Sequence, residues 1–459
     1  MMHEGRSGTR WIFLSVAAVA GLGVIGIVVR SWQRSSPLPP SRTSQTSPDP
    51  AGSAHFVPKG RATVSVYDEG APLPDRWVVF HDASGSVIAS AKSGADGKVS
   101  SDIPADAMIT VAHGTSIRHL ITVAGVQPGD DVVVGERDED ESVAKVAGTA
   151  HVKLPGKLPD AIRYTVSLGV GATEVPSADV AISMSVLERF LDKKNGKRFR
   201  ILGEAFDASG EPLGFAFAWG ALGKDATDVR LSPWSKDWRS TEIVLSNAPT
   251  ELTSVEGKLG IISQDEDRFG RKPRRADLHD GKAALRFAVP PQIGNEAEYE
   301  LDFAYGSSPD KAHLLRHEES MPPLVAVDVR AAVLPRVSAA AVEPSDVLAR
   351  SFVRWTVSGD AARADASVVC VRWPDTREHV WTIVLSPKAP TRFRLPALPA
   401  ALAGWAPDGR PTTAAVGLVD ASFFDGFDDV RHKGIQMLKE PPEDDARMVS
   451  TSTTGDVEF

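Results

Sequence analysis

The sequence predicts a mainly β protein, with several antiparallel β-sandwich domains in tandem after one N-terminal transmembrane helix. Three observations carry this expectation. From Arg61 onward, strand-length runs of alternating apolar and polar residues recur, separated by turn dipeptides such as Asp-Gly and Ser-Gly. Ahead of them lies an uncharged apolar stretch from Trp11 to Val29, bounded by Arg10 and Arg30. Between the two, the Ser-, Pro- and Thr-rich residues 30–60 cannot bury a core and form a disordered linker.

Roughly nineteen residues at about 1.5 Å rise reach about 28 Å, enough for the hydrocarbon core of a bilayer. The run is apolar all round, whereas a buried core helix keeps a polar face. Ala18-Val19-Ala20 fits a signal-cleavage rule, but Gly21 to Val29 continues apolar where a mature N-terminus is polar. The reading is a signal anchor at 11–29 behind a short tail at 1–10, with the membrane as partner through Trp11 to Val29. Arg6 and Arg10 before the span nearly balance Arg30, Arg34 and Arg42 after it, so charge does not set orientation. Length does: the short tail cannot form a domain. The C-terminal body is expected outside the cytoplasm, in the periplasm or at the cell surface.

The chain has 459 residues and a net charge of −9, which argues against a nucleic-acid partner, because such proteins need a basic face. Cys370 is the single cysteine, so no intrachain disulfide can form and packing alone must hold the domains. Its setting, Val368-Val369-Cys370-Val371, reads as a small buried hydrophobe in a strand.

The region 61–136 holds strand candidates at 62–67, 76–80, 86–90, 108–111, 117–123 and 131–134, with turns at Ser84-Gly85 and Ala95-Asp96-Gly97. Val64-x-Val66, Gly70-Ala71-Pro72, Trp77-Val78-Val79-Phe80, Ser84-Gly85, Ala95-Asp96-Gly97 and Met108-Ile109-Thr110-Val111 form a pattern over about eighty residues. That pattern resembles the carboxypeptidase regulatory-like (prealbumin-like) β-sandwich family, with Ala95 where the family usually carries Thr. The resemblance implies an accessory module of envelope proteins and no catalytic residue. The acidic run 137–142 lacks the tight glycine turn of a calcium loop and reads as a solvated linker.

A β-rich domain is expected at 144–247, with strands at 162–168, 199–206 and 213–219 and one short helix from Met184 to Lys194. The tetrapeptide Asp-Ala-Ser-Gly at 82 and again at 207 suggests repeated hairpin chemistry. A further β-rich domain spans 248–333; whether it merges with the preceding one stays open. From 334 to 432, tryptophans on successive strands resemble an immunoglobulin or fibronectin type III sandwich, without the cysteine pair of antibody domains. Residues 441–459 are polar and acidic and are expected to be a disordered tail.

No linear catalytic motif is present: the chain lacks a His-Glu-x-x-His helix, a Gly-rich phosphate loop and a Gly-x-Ser-x-Gly elbow. The expectation is no enzyme, no cofactor and no metal. His313, His317, Glu318 and Glu319 form one close His/carboxylate group, but Pro309, Pro322 and Pro323 point to a loop without a third ligand. Asp425-Gly426-Phe427-Asp428-Asp429 reads as a turn rather than a cation site. The candidate ligand contacts are Trp219, Trp234 and Trp238, which buried in a sandwich would be core and exposed could stack on sugars, and the basic loop Arg271, Lys272, Arg274 and Arg275. That loop is expected to be neutralised from within by Asp265, Glu266, Asp267, Asp277 and Asp280, so that replacing its four cations by Ser changes stability little.

The function these readings favour is a non-enzymatic, membrane-anchored envelope or surface protein that presents β-sandwich modules for scaffolding, adhesion or partner binding. The alternative is a glycan-binding or enzyme-accessory subunit using exposed aromatics. The partner, protein or glycan, is not specified by sequence.

Overall fold

The structure, a computed structural model, describes residues 60–454 apart from 69–70, 114–117, 136–145, 169–171, 189–190, 192–197, 224–225, 263–267, 292–293, 295, 344, 346–349, 375–377, 408–411 and 435–447. The expected tail, membrane helix and linker up to residue 59, and the acidic run 137–142, lie outside the described residues. Among those described, no helix is long and apolar enough to cross a membrane. The chain is mainly β, in several sheets.

In the first unit, Gly60–Asp68 pairs with Ala71–Pro72, with Lys98–Ile103, and in parallel with Asp131–Val134. A second layer runs Val87–Lys92, Trp77–His81, Ala107–His113, Arg118–Val126. Alternate residues Val64, Val66, Phe80, Ile109, Val111, Val123 and Val132 fill the space between the layers. Lys98–Ile103 is too polar to stand out in the sequence; its pairing with the first strand makes it a strand. Asp82 accepts the backbone N–H groups of Ser84 and Ser86, and Gly85 takes φ 77°. Asp207, Ser209, Glu211 and Gly210 repeat this arrangement, also with φ 77° at the glycine. The repeated tetrapeptide thus builds one hairpin tip twice.

The second unit packs the sheet Ala172–Val175, Arg163–Ser167, Arg198–Phe206, Pro212–Ala221 on the sheet Ile182–Leu187, Val146–Lys153, Thr227–Arg230. Val152, Val166, Phe199, Ile201 and Val229 lie between them. Over Met184 to Leu187 the expected helix is replaced by the strand Ile182–Leu187, antiparallel to Val146–Lys153, while most of the rest of that stretch to Lys194 lies outside the described residues. Cross-strand pairing overrides a weak local preference there.

In the third unit, Arg239–Ser246 pairs with Ala283–Val289 and, in parallel, with Leu324–Asp328. Opposite lie Ser254–Ile262, Glu296–Ala304 and Asp310–Glu318, with Arg268–Gly270 and Arg274–Asp277 both on Ser254–Ile262. The core between these layers also takes Leu202 and Phe215 from the second unit. The last unit pairs Val337–Glu343, Phe352–Val357 and Arg392–Arg394 over Ala366–Pro374, Glu378–Leu385 and Thr413–Ala421. Trp355, Trp373 and Trp381 are 5 %, 2 % and 0 % exposed and fill its core, as the tryptophan spacing predicts. Cys370 is buried and, as the single cysteine, forms no intrachain disulfide. Of the segment 425–429, expected as a turn, Asp425 and Gly426 precede the helix Phe427–Lys433, with Gly426 at its N-cap, and the other three residues form its first turn.

The first, third and last units share one thirteen-stranded sheet. Arg118–Val126 of the first unit pairs in parallel with Glu378–Leu385 of the last, from His379↔Arg118 to Val384↔Val123. Val79, Ala112, Leu120 and Ala124, on the outer face of the first sandwich, enter the core of the last unit. A buried polar chain crosses the junction. His81 Nε2 meets Thr110 Oγ1 at 2.9 Å, Thr110 meets Thr122 at 2.8 Å, and Trp381 Nε1 donates to Thr122 Oγ1 at 2.8 Å. Burial and then the Arg350 charge lower the His81 pKa to about 4, so the imidazole is neutral. Outside the sheet, Arg350 donates to Ser84 O at 2.6 Å, and the buried Arg431 of the helix bonds Gly125 O at 2.5 Å and Asp130 at 3.2 Å.

Within the expected disordered tail, Met448–Thr454 is a strand, inserted between Asp310–Glu318 and Thr413–Ala421. Its polar side chains suggested a solvated tail, but two open strand edges satisfy its backbone.

Thr122→Val removes the acceptor of the Trp381 indole at nearly constant volume. The soluble body should lose about 1–3 kcal/mol in denaturant unfolding, and Thr122→Ser, which keeps the hydroxyl, should restore most of it.

Candidate functional site

Trp219 is the exposed member of the three tryptophans. Arg200 stands directly opposite it across the hairpin and Arg198 two residues away, because alternate residues of paired strands share a face. Their guanidinium carbons lie 4.5 Å and 4.8 Å from the Trp219 ring, which is 39 % exposed. Phe217 meets the ring edge-on at 6.2 Å. Farther along this face, Leu202 and Phe215 enter the third unit's core, so the Arg–Trp–Arg group ends an apolar stripe at the surface. The two arginines were not singled out from sequence. Counting outward from the Asp207 turn would have paired Arg200 with Ala218; a bulge between Ala205 and Phe206 shifts the register by one and sets Trp219 opposite it.

Trp234 is half-buried: its Nε1 donates to Gly156 O at 2.8 Å and its ring lies 5.9 Å from Tyr164. Trp238 lies edge-on to Phe215 at 4.8 Å, against the third unit's core. Neither joins Trp219 in a common surface platform; both serve packing.

The cations of the basic loop are engaged by residues outside it. Arg271 forks onto Glu204 of the second unit, Nη2 to Oε2 at 2.7 Å, with both side chains buried. Lys272 Nζ donates to Ser209 O at 2.9 Å. Arg274 grips Glu211 through two bonds, one of 2.6 Å, and that hydrogen bond holds the Glu211 carboxyl below its usual range. Arg275 Nη2 reaches Ser254 Oγ at 3.3 Å. Among the described residues, Glu204 is the counter-charge of Arg271 and Glu211 that of Lys272 and Arg274, both far away in sequence. Asp265, Glu266 and Asp267 lie outside the described residues.

The His/carboxylate group is also rearranged. His313 and His317 lie on the strand Asp310–Glu318, not in a loop, because that strand pairs on both sides. Four residues along a strand separate them by about 13 Å, too far to share a metal. His313 instead faces Asp302, Nδ1 to Oδ1 at 2.9 Å. Glu300, Asp302 and His313 offer ligand atoms within 4.8 Å of one another. The Lys258 ammonium already lies among them, 2.7 Å from Glu300 Oε1 and 3.6 Å from Asp302 Oδ2. Burial works against that charge, but hydrogen bonding and attraction from Glu300 and Asp302 override it and raise the lysine pKa. This built-in cation makes the cluster a neutralised ion network rather than an open metal centre.

Glu318 points to the other face, where it is 1 % exposed, beside Arg316 at 3.7 Å. Burial raises its pKa from 4.5 to about 7, against the pull of Arg316. Glu319 is exposed. A shallow groove of about 470 Å³ includes Arg274 and Arg275, and another of about 670 Å³ includes Asn247, Leu278, Asp280, Asp328 and Arg330. None of the residues singled out from sequence as ligand contacts lines the latter.

No protein-family model and no curated protein matches this sequence. Among solved structures, similarity is found to the Bacillus anthracis TIE protein, at 10 % identity and a TM-score of 0.15, covering 59 % of this chain and 50 % of that one. The chain thus spans half the length of that protein, and a likeness at this level carries no argument about fold or activity.

Two outcomes follow from the charged contacts. Arg271→Ser leaves Glu204 buried without its partner and should cost about 3–5 kcal/mol in unfolding free energy, whereas Arg275→Ser should stay within about 0.5 kcal/mol. The second concerns pH. With a folded pKa raised to about 7, Glu318 contributes stability in full below the ordinary carboxylate range and loses it as pH rises through about 7. From about pH 5 to about pH 8 the parent should therefore lose stability relative to Glu318→Gln in denaturant unfolding, while the lowered pKa of His81 acts with the opposite sign in both up to about pH 6.5.

Proposed function

We propose that the chain is a non-enzymatic, single-pass membrane protein of the cell envelope or surface, anchored through Trp11 to Val29 with its body outside the cytoplasm. In this reading the first sandwich is a carboxypeptidase regulatory-like module and the last an immunoglobulin- or fibronectin-like one. The body is a rigid scaffold that a Ser/Pro-rich spacer holds off the bilayer. The observation that supports it best is the thirteen-stranded sheet running through the first, last and third units. Domains in one chain ordinarily move relative to each other unless their interface is large and apolar. Here backbone pairing and a shared core remove that freedom, which suits presentation of a surface at fixed geometry.

The exposed Trp219 between Arg198 and Arg200 supports a second reading, an enzyme-accessory or glycan-binding subunit. Cationic groups beside an aromatic ring suit an anionic sugar.

The two readings separate experimentally. Full-length protein should stay in the membrane fraction through alkaline wash, and a chain starting at Ser41 should be soluble; a native N-terminus at Gly21 would show cleavage instead. Scaffolding predicts that the body beginning at Gly60 captures a protein partner equally well with Trp219→Ala. Retention on an anionic polysaccharide that drops tenfold or more with Trp219→Ala would favour the glycan reading.

A further inference from the structure

We propose that Met448–Thr454 is an exchangeable closing strand, and that the slot it fills also accepts the same strand from a second copy of this chain. The strand completes the sheet between two edges that are otherwise open. It runs antiparallel to both, from Asp310↔Thr454 to Arg316↔Met448 on one side and from Gly417↔Thr453 to Ala421↔Val449 on the other. Without it, the sheet of the third unit and that of the last would each end in an unpaired edge.

The strand is held mainly by main-chain and hydroxyl hydrogen bonds. Val449 enters a buried apolar cluster with Leu315, Val419 and Phe423, and Met448 packs at the margin of another. The remaining residues are Ser and Thr. Ser450 and Ser452 are both 0 % exposed and Thr454 is 7 % exposed. Their hydroxyls accept the backbone N–H groups of Leu334 at 3.3 Å, Val337 at 3.1 Å and Val416 at 3.0 Å. The slot therefore offers two strand edges and three further backbone donors. These are the elements of peptide recognition by strand addition, in which main-chain bonds supply affinity and alternating side-chain positions supply selectivity.

Two features favour exchange. Little apolar area leaves the core when the strand departs, and water can replace most of its hydrogen bonds. Fourteen residues, 434–447, separate the strand in sequence from the helix Phe427–Lys433. The occupant is a second copy because an identical strand reproduces every hydroxyl–amide contact, including the fit of the fully buried Ser450 and Ser452. Exchange of identical elements is a low-cost route to dimers.

The test uses full-length protein, with a fluorescein-labelled synthetic peptide of residues 446–459 as probe. In a Cys370→Ser background, Lys311→Cys with Thr453→Cys places two thiols at directly opposed positions and locks the strand in its own slot on oxidation. The unlocked protein should take up peptide at micromolar concentrations and, after incubation at high concentration, yield dimers that persist on dilution. The oxidised variant should do neither until reduced. A peptide carrying Ser452→Lys should bind at least tenfold more weakly. A variant ending at Ala446 that folds should bind the peptide one to one. The proposal fails if the unlocked protein takes up no peptide and remains monomeric. It also fails if locked and unlocked proteins bind equally, or if the folded truncated variant does not bind.

Discussion

Parallel pairing of Arg118–Val126 with Glu378–Leu385 is the constraint from which the arrangement of the body follows. An isolated first sandwich would need a wet outer face on its second sheet. Here that face carries Leu120, Ala124, Thr110 and Thr122, and the last unit covers it. The hydroxyls cannot be buried without partners, and the chain from His81 through Thr110 and Thr122 to the Trp381 indole provides them. A one-residue slip would turn Trp381 to the opposite face, so core packing and polar satisfaction select the same register.

Buried charge is added at two other junctions, one of which also shares the apolar residues Leu202 and Phe215. Arg271 with Glu204 joins the third unit to the second, and Arg431 with Asp130 and Gly125 O joins the final helix to the first unit. Burying such pairs costs desolvation, so they are weak sources of net stability. Their forked geometry fits one relative placement of the units, since a misplaced junction would leave a guanidinium or carboxylate buried and unpaired. The apolar junction supplies most of the adhesion, and the ionic ones favour one orientation.

The same logic accounts for the partners of the conspicuous charged groups. Lys258 lies among Glu300, Asp302 and His313, and the basic loop is spent on Glu204, Glu211 and Ser209 O. Trp219 differs, because its partners Arg198 and Arg200 leave it exposed at the end of a stripe whose inner residues are core.

The sequence by itself determined the β class, the hairpin tips at Asp82 and Asp207 and the tryptophan-filled last sandwich. These depend on period-two alternation and on turn chemistry within a few residues. Trp219 was legible as a candidate, although its separation from Trp234 and Trp238 was not. Only the tertiary structure decided that Ile182–Leu187 is a strand, that Met448–Thr454 is not a tail, and that Arg271 answers Glu204. A polar segment becomes a strand when an open edge meets its backbone, and a cation finds its counter-charge where a distant hairpin is folded against it. Neither the edge nor the hairpin is near in sequence, so local pattern carries no trace of either.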